Sequence, residues 1–441
     1  MNPRELLLGS FHAAVSAADP LRVLPIHLPP HSFPLPKGRT LVAGAGKAAA
    51  AMAMAVEQQW PKHAPLDGFV LTRYGHGLPL ERIRVIEAGH PLPDQQGEQG
   101  AQAILAAAQK LGRDDLLLCL FSGGGSSLLT LPAPGIPLND LRNVTSQLLR
   151  CGATIQEINT VRKHLSVILG GRLATSCRAA VRALIISDVI GDDPTHIASG
   201  PCAPDPTTYA DALAILGYHE IKAPASVSGL LAAGAQGRLD ETPKPGDATF
   251  DRTENRVIAT ARGSLQAAVE YFRSRQIPAV LLGDSVTGEA RETARVFAAL
   301  AREVRQYAQP WKPPIALLSG GETTVTLRPQ SETAGRNASG GASGPKGGRN
   351  TEFLLSLAIE LDGMQGIHAI ACDTDGVDGT EDNAGAILQP DSLCRAQLRG
   401  IDAHALLASN KADIFFQSLG DLVVTGPTRT NVNDYRAILV W

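Results

Sequence analysis

The segment LFSGGGSSLL contains the residues best suited to binding an anion. Three consecutive glycines follow an apolar run and have serines on both sides. These residues are Ser122, Gly123, Gly124, Gly125, Ser126 and Ser127. Such a turn can offer several N–H donors and hydroxyls to one phosphate or carboxylate. It is not a Walker A loop, because the G-K-[ST] ending is absent. A plain strand-to-helix connection rarely needs three glycines, so we expect this loop to bind an anionic group.

A second glycine turn occurs in VAGAGKAAAAMA, where Gly44 and Gly46 separate a predicted strand from a helix that Lys47 opens. The N–H groups at a helix start attract negative charge, so a phosphate is a natural ligand. With Ala49 in the third position, the turn also fits a dinucleotide fingerprint. That fingerprint needs an acid after the second strand, where Arg73 stands instead. NAD is therefore disfavoured and NADP stays open, as does an ordinary tight turn with a solvent-facing lysine.

The helical segment INTVRKHLS carries Arg162, Lys163 and His164 in succession. Cationic side chains at these positions could face a carboxylate or a phosphate. A charge cluster on a helix is more often a solvated face, so both interpretations stay open.

The segment IISDVIGDDPTHIASGP places Asp188 at the end of an apolar run and Asp193 in the loop that follows. In open parallel sheets, ligands bind at the carboxyl ends of the strands. We therefore expect Asp188 to be a magnesium ligand or a base. Asp193 could equally be a turn residue.

The second half of the chain has its own acids. Glu322 follows an SGG turn, and Asp373, Asp375 and Asp378 follow a buried strand in DTDGVDG. Carboxylates are the usual protein ligands of Mg²⁺, so we predict that the three aspartates bind this ion. A hydrogen-bonded aspartate turn is the alternative.

Residues 335–350 form a Gly- and Ser-rich stretch that ends with Arg349 and Asn350. A basic, glycine-rich segment near a nucleotide site suggests a mobile lid. The sequence therefore predicts that this stretch closes on a nucleotide with its magnesium.

Strands alternate with helices from residue 38 onward, which predicts an α/β protein whose first domain is Rossmann-like, with three layers and a parallel sheet. A Gly-, Pro- and charge-rich segment then interrupts the pattern. We therefore predict domains at 1–250 and 251–441, and expect NRVIAT to begin the second. The second domain is predicted to be smaller, with a mixed sheet, because ETTVTL after SGG resembles a hairpin.

The composition excludes several classes of protein. A chain of 441 residues exceeds the size of a single core. A net charge of −3 argues against nucleic acid as a partner. No apolar run is long enough to span a membrane, and the N-terminus resembles an amphipathic helix more than a signal peptide. We therefore expect a cytoplasmic protein with no membrane partner, either a monomer or a homodimer.

A series of motifs carries a resemblance to a known family. They are, in order, GAGKA, EAGHPLPD, LFSGGGSSLL, INTVRKHLS, GGRLA, SDVIGDDPTHIASGP, SGGETTV, GGRNTE, DTDGVDG and TGPTRTNVND. This series resembles the class II glycerate kinases, from about Leu41 to the C-terminus. The chain departs from the family in a longer stretch before GGRN, in Asn410-Lys411-Ala412 where many members have N-D-S, and in Arg429 where they have glycine.

The resemblance implies that ATP, Mg²⁺ and glycerate react to give 2-phosphoglycerate. It also implies that Lys47, Asp188 and Arg349 are the catalytic residues. Members of this family have been named hydroxypyruvate reductases, often in tartrate or glyoxylate pathways, so a reductase using NAD(P)H is the alternative. A sugar-acid binding protein without catalysis is a third hypothesis.

Overall fold

The computed structural model describes residues 2–327 and 347–441. Its strands are β1 Thr40–Ala45, β2 Leu66–Arg73, β3 Ile83–Ala88, β4 Leu116–Phe121, β5 Ala180–Ile186, β6 Thr253–Ala259, β7 Ala279–Gly283, β8 Ile315–Ser319, β9 Ile367–Asp373, β10 Gly385–Leu388, β11 Leu422–Val423 and β12 Asp434–Val440. Its helices are α1 Pro3–Ser16, α2 Pro20–Val23, α3 Ala49–Gln59, α4 Gln95–Ala108, α5 Gly125–Leu128, α6 Leu138–Arg150, α7 Ile155–His164, α8 Arg172–Thr175, α9 Tyr209–Tyr218, α10 Ala225–Ala235, α11 Ala261–Arg273, α12 Ala290–Tyr307, α13 Arg349–Leu361, α14 Ser392–Leu398, α15 Ala403–Ala408 and α16 Ala412–Leu419.

The chain divides into two compact units. The first, here called the parallel-sheet unit, comprises Asp19–Thr260 and Arg429–Asn431. The second, the mixed-sheet unit, comprises the residues up to Ala18, Ala261–Thr428 and Val432–Trp441. Among the described helices, none is long and apolar enough to cross a membrane.

The parallel-sheet unit contains six parallel strands in the order β3-β2-β1-β4-β5-β6. Its central strands β1 and β4, TLVAGA and LLLCLF, are buried at every position. Continuous apolar runs are typical of parallel strands that are covered on both faces. The strand order is that of the Rossmann fold, whose ligands bind where the order reverses. Here that point lies between the carboxyl ends of β1 and β4, and the predicted parallel sheet is confirmed.

The unit boundary differs from the prediction at two places. β6 pairs in parallel with β5, so the segment NRVIAT completes the first sheet instead of opening the second. The predicted boundary at residue 250 therefore comes one strand too early. An apolar run indicates a strand but not the sheet that it joins. α1 also lies in the mixed-sheet unit, where Phe11 is buried and the Tyr435 hydroxyl donates to Ser10 Oγ at 2.7 Å.

The mixed-sheet unit has the strand order β11-β10-β9-β12-β8-β7. β7 and β8 are parallel, while β12 is antiparallel to both β8 and β9. The predicted mixed sheet is confirmed, but the hairpin predicted in ETTVTL is wrong. β8 already has β12 on one side and β7 on the other, so no edge is free for a hairpin. In this segment Thr324 forms only an isolated parallel bridge with Glu289.

Helices cover the mixed sheet on both faces. One face packs against α1 and α11, and the other against α12 and α13. α13 begins at Arg349, so the last two residues of the predicted lid belong to a helix. Residues 335–346 of that lid lie outside the described residues.

Candidate active site

The SGGGSS loop follows β4 directly, and at two of its positions the structure requires glycine. Gly124 has a φ of 79°, in the left-handed region that favours glycine. A Cβ atom on Gly123 would lie only 1.9 Å from Oδ2 of Asp188. The N–H groups of Gly123 and Gly124 have no hydrogen-bond partner within the described part of the chain. The loop therefore has backbone N–H groups available to a ligand, beside a carboxylate.

Three side chains meet at these glycines. A Cβ on Gly124 would lie 2.8 Å from Nε2 of His90 and 3.5 Å from Cγ of Lys47. Together with Asp188, they place a lysine side chain, an imidazole and a carboxylate beside one stretch of backbone. Groups of this kind can neutralise charge on a phosphoryl group and accept a proton from a hydroxyl.

Asn431 holds the carboxylate of Asp188. Its Nδ2 donates to Asp188 Oδ2 at 3.0 Å, although the two residues are 243 positions apart in sequence. Neither Asn431 nor His90 was among the predicted site residues. Both lie in motifs of the family resemblance, EAGHPLPD and TGPTRTNVND, which was the one signal that pointed to them. Nothing in their local sequence indicates chemistry.

The glycine turn after β1 differs from the prediction of a phosphate site. Lys47 N donates to Gly123 O at 2.9 Å and Ala48 N to Ser122 Oγ at 3.0 Å. A Cβ on Gly46 would lie 2.1 Å from Ser122 Oγ, and one on Gly44 would lie 2.7 Å from a carbonyl oxygen of β4. Gly44 and Gly46 therefore permit close packing of this turn against the SGGGSS loop. The turn supports that loop and positions the side chain of Lys47.

A strained loop packs on the other side of the SGGGSS loop. Ala198 and Ser199 both have positive φ values, 51° and 58°, which are uncommon for residues with a Cβ atom. Hydrogen bonds link Ser199 Oγ to Ser126 Oγ at 2.8 Å and to Asn159 Oδ1 at 2.9 Å. Strained backbone of this kind often occurs beside functional sites. Here it positions the hydroxyl of Ser126.

The basic cluster on α7 is not the solvated face that its sequence allowed. Lys163 and Asp205 form a buried ion pair at 3.2 Å, with side-chain exposures of 1% and 0%. Burial works to raise the pKa of Asp205, but Lys163 and hydrogen bonds from Thr207 hold it below its usual range. Nδ1 of the buried His164 lies 2.8 Å from the carbonyl oxygen of Thr160. Lys163 and His164 therefore stabilise the core of this unit.

The remaining predicted residues of this unit lie in different surroundings. Arg162, the first of the three basic residues, lines a cavity that Ser126 and Ser127 also line. Asp193 is exposed, and its Oδ1 accepts a hydrogen bond from Thr195 N at 2.9 Å. This is the turn role that the sequence left open for Asp193.

Arg349 is the centre of an ion-pair cluster in the mixed-sheet unit. Its guanidinium contacts Asp434 at 2.9 Å, Asp373 at 2.7 Å and Glu322 at 2.9 Å. Burial would lower the pKa of Arg349, but the surrounding carboxylates, Asp434 first, raise it well above its ordinary value. Glu322 is 56% exposed, whereas Asp373 and Asp434 are buried. Glu322 is therefore the partner that an incoming anion can most easily replace.

The three predicted metal ligands do not form one site. Within residues 2–327 and 347–441, no cluster of three or more His, Cys, Asp or Glu side chains could hold a metal ion. The oxygens of Asp378 accept hydrogen bonds from the backbone N–H groups of Asn350 and Thr351, each at 2.9 Å. Asp378 therefore satisfies the start of α13. Asp373 pairs with Arg349, and Oδ1 of the buried Asp375 accepts from Val377 N at 2.8 Å.

Asn350 joins the two parts of this cluster. Its Nδ2 donates to Asp434 at 2.8 Å and to Asp378 at 3.2 Å. The side-chain oxygen of Asn350 is buried and has no partner in the described residues. This residue thus holds two carboxylates in place around the start of α13.

Two departures from the family motifs have structural counterparts. Arg429 has a φ of 59°, which explains why glycine is suited to this position. Asn410 is buried, and its Nδ2 donates to Glu352 Oε2 at 2.9 Å. Glu352 also pairs with Arg291 at 2.6 Å, so Asn410 belongs to a structural network of the mixed-sheet unit.

Comparisons with known proteins agree with this arrangement. Residues 6–232 match a family described as a domain of unknown function, DUF4147, and residues 315–434 match the MOFRL family. A protein of Agrobacterium vitis named as a hydroxypyruvate reductase is 49% identical, over 100% of this chain and 95% of its own length. Glycerate 2-kinase of Pyrococcus horikoshii is 37% identical, over 98% of this chain and 96% of its own.

A solved structure supports the same assignment. The crystal structure of glycerate kinase from Thermotoga maritima has a TM-score of 0.84 at 35% identity, and 99% of each chain is covered. Sequence relatives and solved structure therefore agree over nearly the whole length. The chain belongs to the class II glycerate kinase family, in which some members carry the name hydroxypyruvate reductase.

Proposed function

We propose that this protein is a glycerate 2-kinase, which transfers a phosphoryl group from ATP to the 2-hydroxyl of glycerate. The observation that carries the proposal is the convergence of Lys47, His90 and Asp188 on Gly123 and Gly124. These groups lie at the reversal point of a Rossmann-type sheet, where ligands bind. The names of the Pyrococcus horikoshii relative and of the Thermotoga maritima structure support the same reaction, whereas the Agrobacterium vitis relative carries the reductase name.

The β1 turn argues against the alternative of an NAD(P)H-dependent reductase. A dinucleotide pyrophosphate binds to the free N–H groups of a glycine turn and the helix behind it. Here the N–H groups of Lys47 and Ala48 already donate to the SGGGSS loop. β2 ends at Arg73 without the acid that binds a ribose hydroxyl. The turn has the glycine spacing of a dinucleotide site but not its free donors.

Phosphoryl transfer requires positioning and neutralisation of charge more than covalent chemistry. The ammonium of Lys47 neutralises charge that develops on the transferred group. Asp188 orients the attacking hydroxyl and accepts its proton. Asn431, at 3.0 Å from Asp188, holds that carboxylate in one orientation. The N–H groups of Gly123 and Gly124 donate to an anionic oxygen.

In the mixed-sheet unit, Arg349 offers a positive charge to an anionic group of a ligand. Its charge is already paired with buried acids, so its position is set before any ligand binds. A phosphate oxygen in place of exposed Glu322 would keep the third side of the guanidinium paired. Arg349 would then exchange its ion pair with Glu322 for one with a phosphate of the ligand.

The residues present fit magnesium that arrives with the nucleotide. Mg²⁺ in such sites keeps waters and phosphate oxygens and needs only one or two carboxylates. Asp375, whose Oδ1 accepts from the N–H group of Val377 at 2.8 Å, would supply one. Such an ion would supply neutralisation of the phosphate charge, with Asp375 as the residue that would hold it.

A direct assay separates the two activities. Purified protein with glycerate, ATP and Mg²⁺ should form ADP and 2-phosphoglycerate. Mass identifies a phosphoglycerate, and its NMR spectrum distinguishes the 2-phosphate from the isomeric 3-phosphate. A parallel reaction with hydroxypyruvate and NADPH should show no oxidation above background. Oxidation of NADPH without ATP-dependent turnover would overturn the kinase assignment. A glycerate-induced thermal shift with neither turnover would indicate a binding protein instead.

A further inference from the structure

Two hydroxyls of the SGGGSS loop form hydrogen bonds within the protein. Ser127 Oγ donates to the carbonyl oxygen of Gly124 at 3.1 Å. Ser126 Oγ lies 2.8 Å from Ser199 Oγ, which also lies 2.9 Å from Oδ1 of Asn159. A hydroxyl has a single proton to donate, so the amide at the end of this chain sets the direction of both bonds.

Asn159 fixes that direction. Its Nδ2 donates to the carbonyl oxygen of His196 at 2.9 Å, and a carbonyl oxygen can only accept. Oδ1 of Asn159 therefore faces Ser199 and accepts the proton of that hydroxyl. The contact between the Ser126 and Ser199 oxygens then needs the proton of Ser126. Ser126 thus donates toward the interior of the protein.

Burial stabilises this direction against its reverse. Ser199 and Asn159 are 0% and 1% exposed, so solvent does not replace their hydrogen bonds. If Ser199 donated to Ser126 instead, Oδ1 of Asn159 would keep only the contact from Arg162 Nη1 at 3.5 Å. A buried acceptor that loses its partner costs about 1–3 kcal/mol. The order from Ser126 through Ser199 to Asn159 is therefore favoured.

Ser126 presents only lone pairs to a ligand. Its side chain is half-buried, and within residues 2–327 and 347–441 its Oγ has no hydrogen-bond partner besides Ser199. An oxygen whose proton is engaged can accept a hydrogen bond but cannot donate one to a carboxylate or phosphate. Anionic groups at this loop then depend on the N–H groups of Gly123 and Gly124. The ligand group that suits Ser126 is a donor, such as a hydroxyl.

We propose that Ser126 is a specificity-determining residue that accepts a hydrogen bond from the 3-hydroxyl of glycerate. This inference rests on the proposed function, in which the 2-hydroxyl gives its proton to Asp188. The carboxylate of glycerate can only accept hydrogen bonds. The 3-hydroxyl is therefore the donor that remains for Ser126.

The position of Ser126 suits a three-carbon acid. Two residues separate it from Gly124, so their Cα atoms lie at most about 7 Å apart. A short acid with a hydrogen bond of about 2.8 Å at each end bridges such a distance. A Cβ on Gly124 would lie 2.8 Å from Nε2 of His90, and Pro93 lines a small cavity together with Ser126. The same segment thus borders both positions.

The test compares glycerate with lactate, which keeps the carboxylate and the 2-hydroxyl but lacks the 3-hydroxyl. Wild-type protein should bind glycerate more tightly than lactate. We expect Ser126→Ala to raise the Kd for glycerate about five- to tenfold, because one hydrogen bond is lost, and to change that for lactate less than twofold. Calorimetry with a non-hydrolysable ATP analogue and Mg²⁺ measures both values. Ser228→Ala is the matched control, because it removes a half-buried serine hydroxyl from α10 and should leave both Kd values unchanged.

A second variant tests the direction of the hydrogen bonds. Ser199→Ala removes the acceptor of the Ser126 proton, so Ser126 becomes able to donate. Hydroxymalonate has a carboxylate in place of the hydroxymethyl group of glycerate and offers only acceptors at that end. Ser199→Ala should therefore lower the ratio of the Kd for hydroxymalonate to the Kd for glycerate several-fold. An unchanged ratio would show that Ser199 does not impose the direction, and would overturn the inference.

The binding data also separate this inference from the proposed function. Equal losses of glycerate and lactate affinity in Ser126→Ala would indicate a structural role and overturn the inference, as would a wild type that binds both acids equally. Formation of 2-phosphoglycerate would leave the kinase assignment intact in either case. A wild type that prefers glycerate through Ser126 but forms no 2-phosphoglycerate would remove the proposed function alone.

Discussion

Lys47 occupies a position that its backbone makes rigid. Its N–H donates to Gly123 O at 2.9 Å, so the side chain starts from a turn locked to the SGGGSS loop. We expect Lys47→Ala to lower kcat by roughly 10³-fold, because the ammonium interacts most strongly with charge in the transition state. The KM for glycerate should change little. Steady-state kinetics with both substrates varied will measure this, and a loss below tenfold would assign Lys47 to packing alone.

Gly123 provides a separate test of the site. A methyl group there would lie 1.9 Å from Asp188 Oδ2, so Gly123→Ala must displace the carboxylate or the loop. We expect kcat to fall at least 10²-fold, in line with the sensitivity of catalysis to misplacement by about 1 Å. Gly229→Ala is the matched control, because nothing lies within 4 Å of its added Cβ. The control should keep full activity and gain about 0.5–1 kcal/mol of stability. Equal activity in both variants would contradict the position assigned to Asp188.

At the scale of elements, the DTDGVDG loop supplies carboxylates with two different roles. Asp378 binds the start of α13, whereas Asp375 is the candidate magnesium ligand. We expect Asp375→Asn to raise the Mg²⁺ concentration needed for half-maximal rate. Asp378→Asn should instead lower the free energy of unfolding by about 1–3 kcal/mol, because buried N–H groups lose an ionised acceptor. Magnesium titrations of activity and denaturant unfolding will separate the two effects. The opposite pattern would return Asp378 to the role of a metal ligand.

At the scale of the whole molecule, histidines that are half or fully buried make stability depend on pH. Burial lowers the pKa values of His164, His196 and His368 below the usual value. The unfolded chain therefore takes up protons near pH 6.5 that the folded chain does not yet bind. Stability is fully present above about pH 6.5 and falls as the pH decreases, by up to about 1.4 kcal/mol per pH unit for each group.

Thermal melting between pH 7.5 and 5 checks this expectation. The Tm should fall in that range, and His164→Gln should show a shallower fall than the wild type. Both proteins should be compared at equal ionic strength, because screening changes surface charge effects. Identical slopes would show that His164 does not control this dependence.

The sequence by itself determined much of this protein. Apolar runs and glycine turns indicated the parallel sheet, because buried strands must be apolar and their carboxyl ends must carry the polar groups. Lys47, Asp188 and the SGGGSS loop could be proposed as site residues from their positions, since each follows or opens a predicted element, and their roles remain predictions. The motifs also indicated the family, which the relatives confirmed.

Tertiary structure alone decided the partners of each group. Whether Arg162, Lys163 and His164 face solvent depends on distant residues: Asp205 pairs with Lys163, while Arg162 has no acidic partner among the described residues. The same holds for Asn431, which reaches Asp188 from 243 positions away. Strand propensity likewise could not show that β6 joins the first sheet, nor that ETTVTL forms no hairpin. Both outcomes depend on which edge of a sheet is free. Local sequence determines which groups are available, but their contacts, and hence their chemistry, depend on chain segments that only folding brings together.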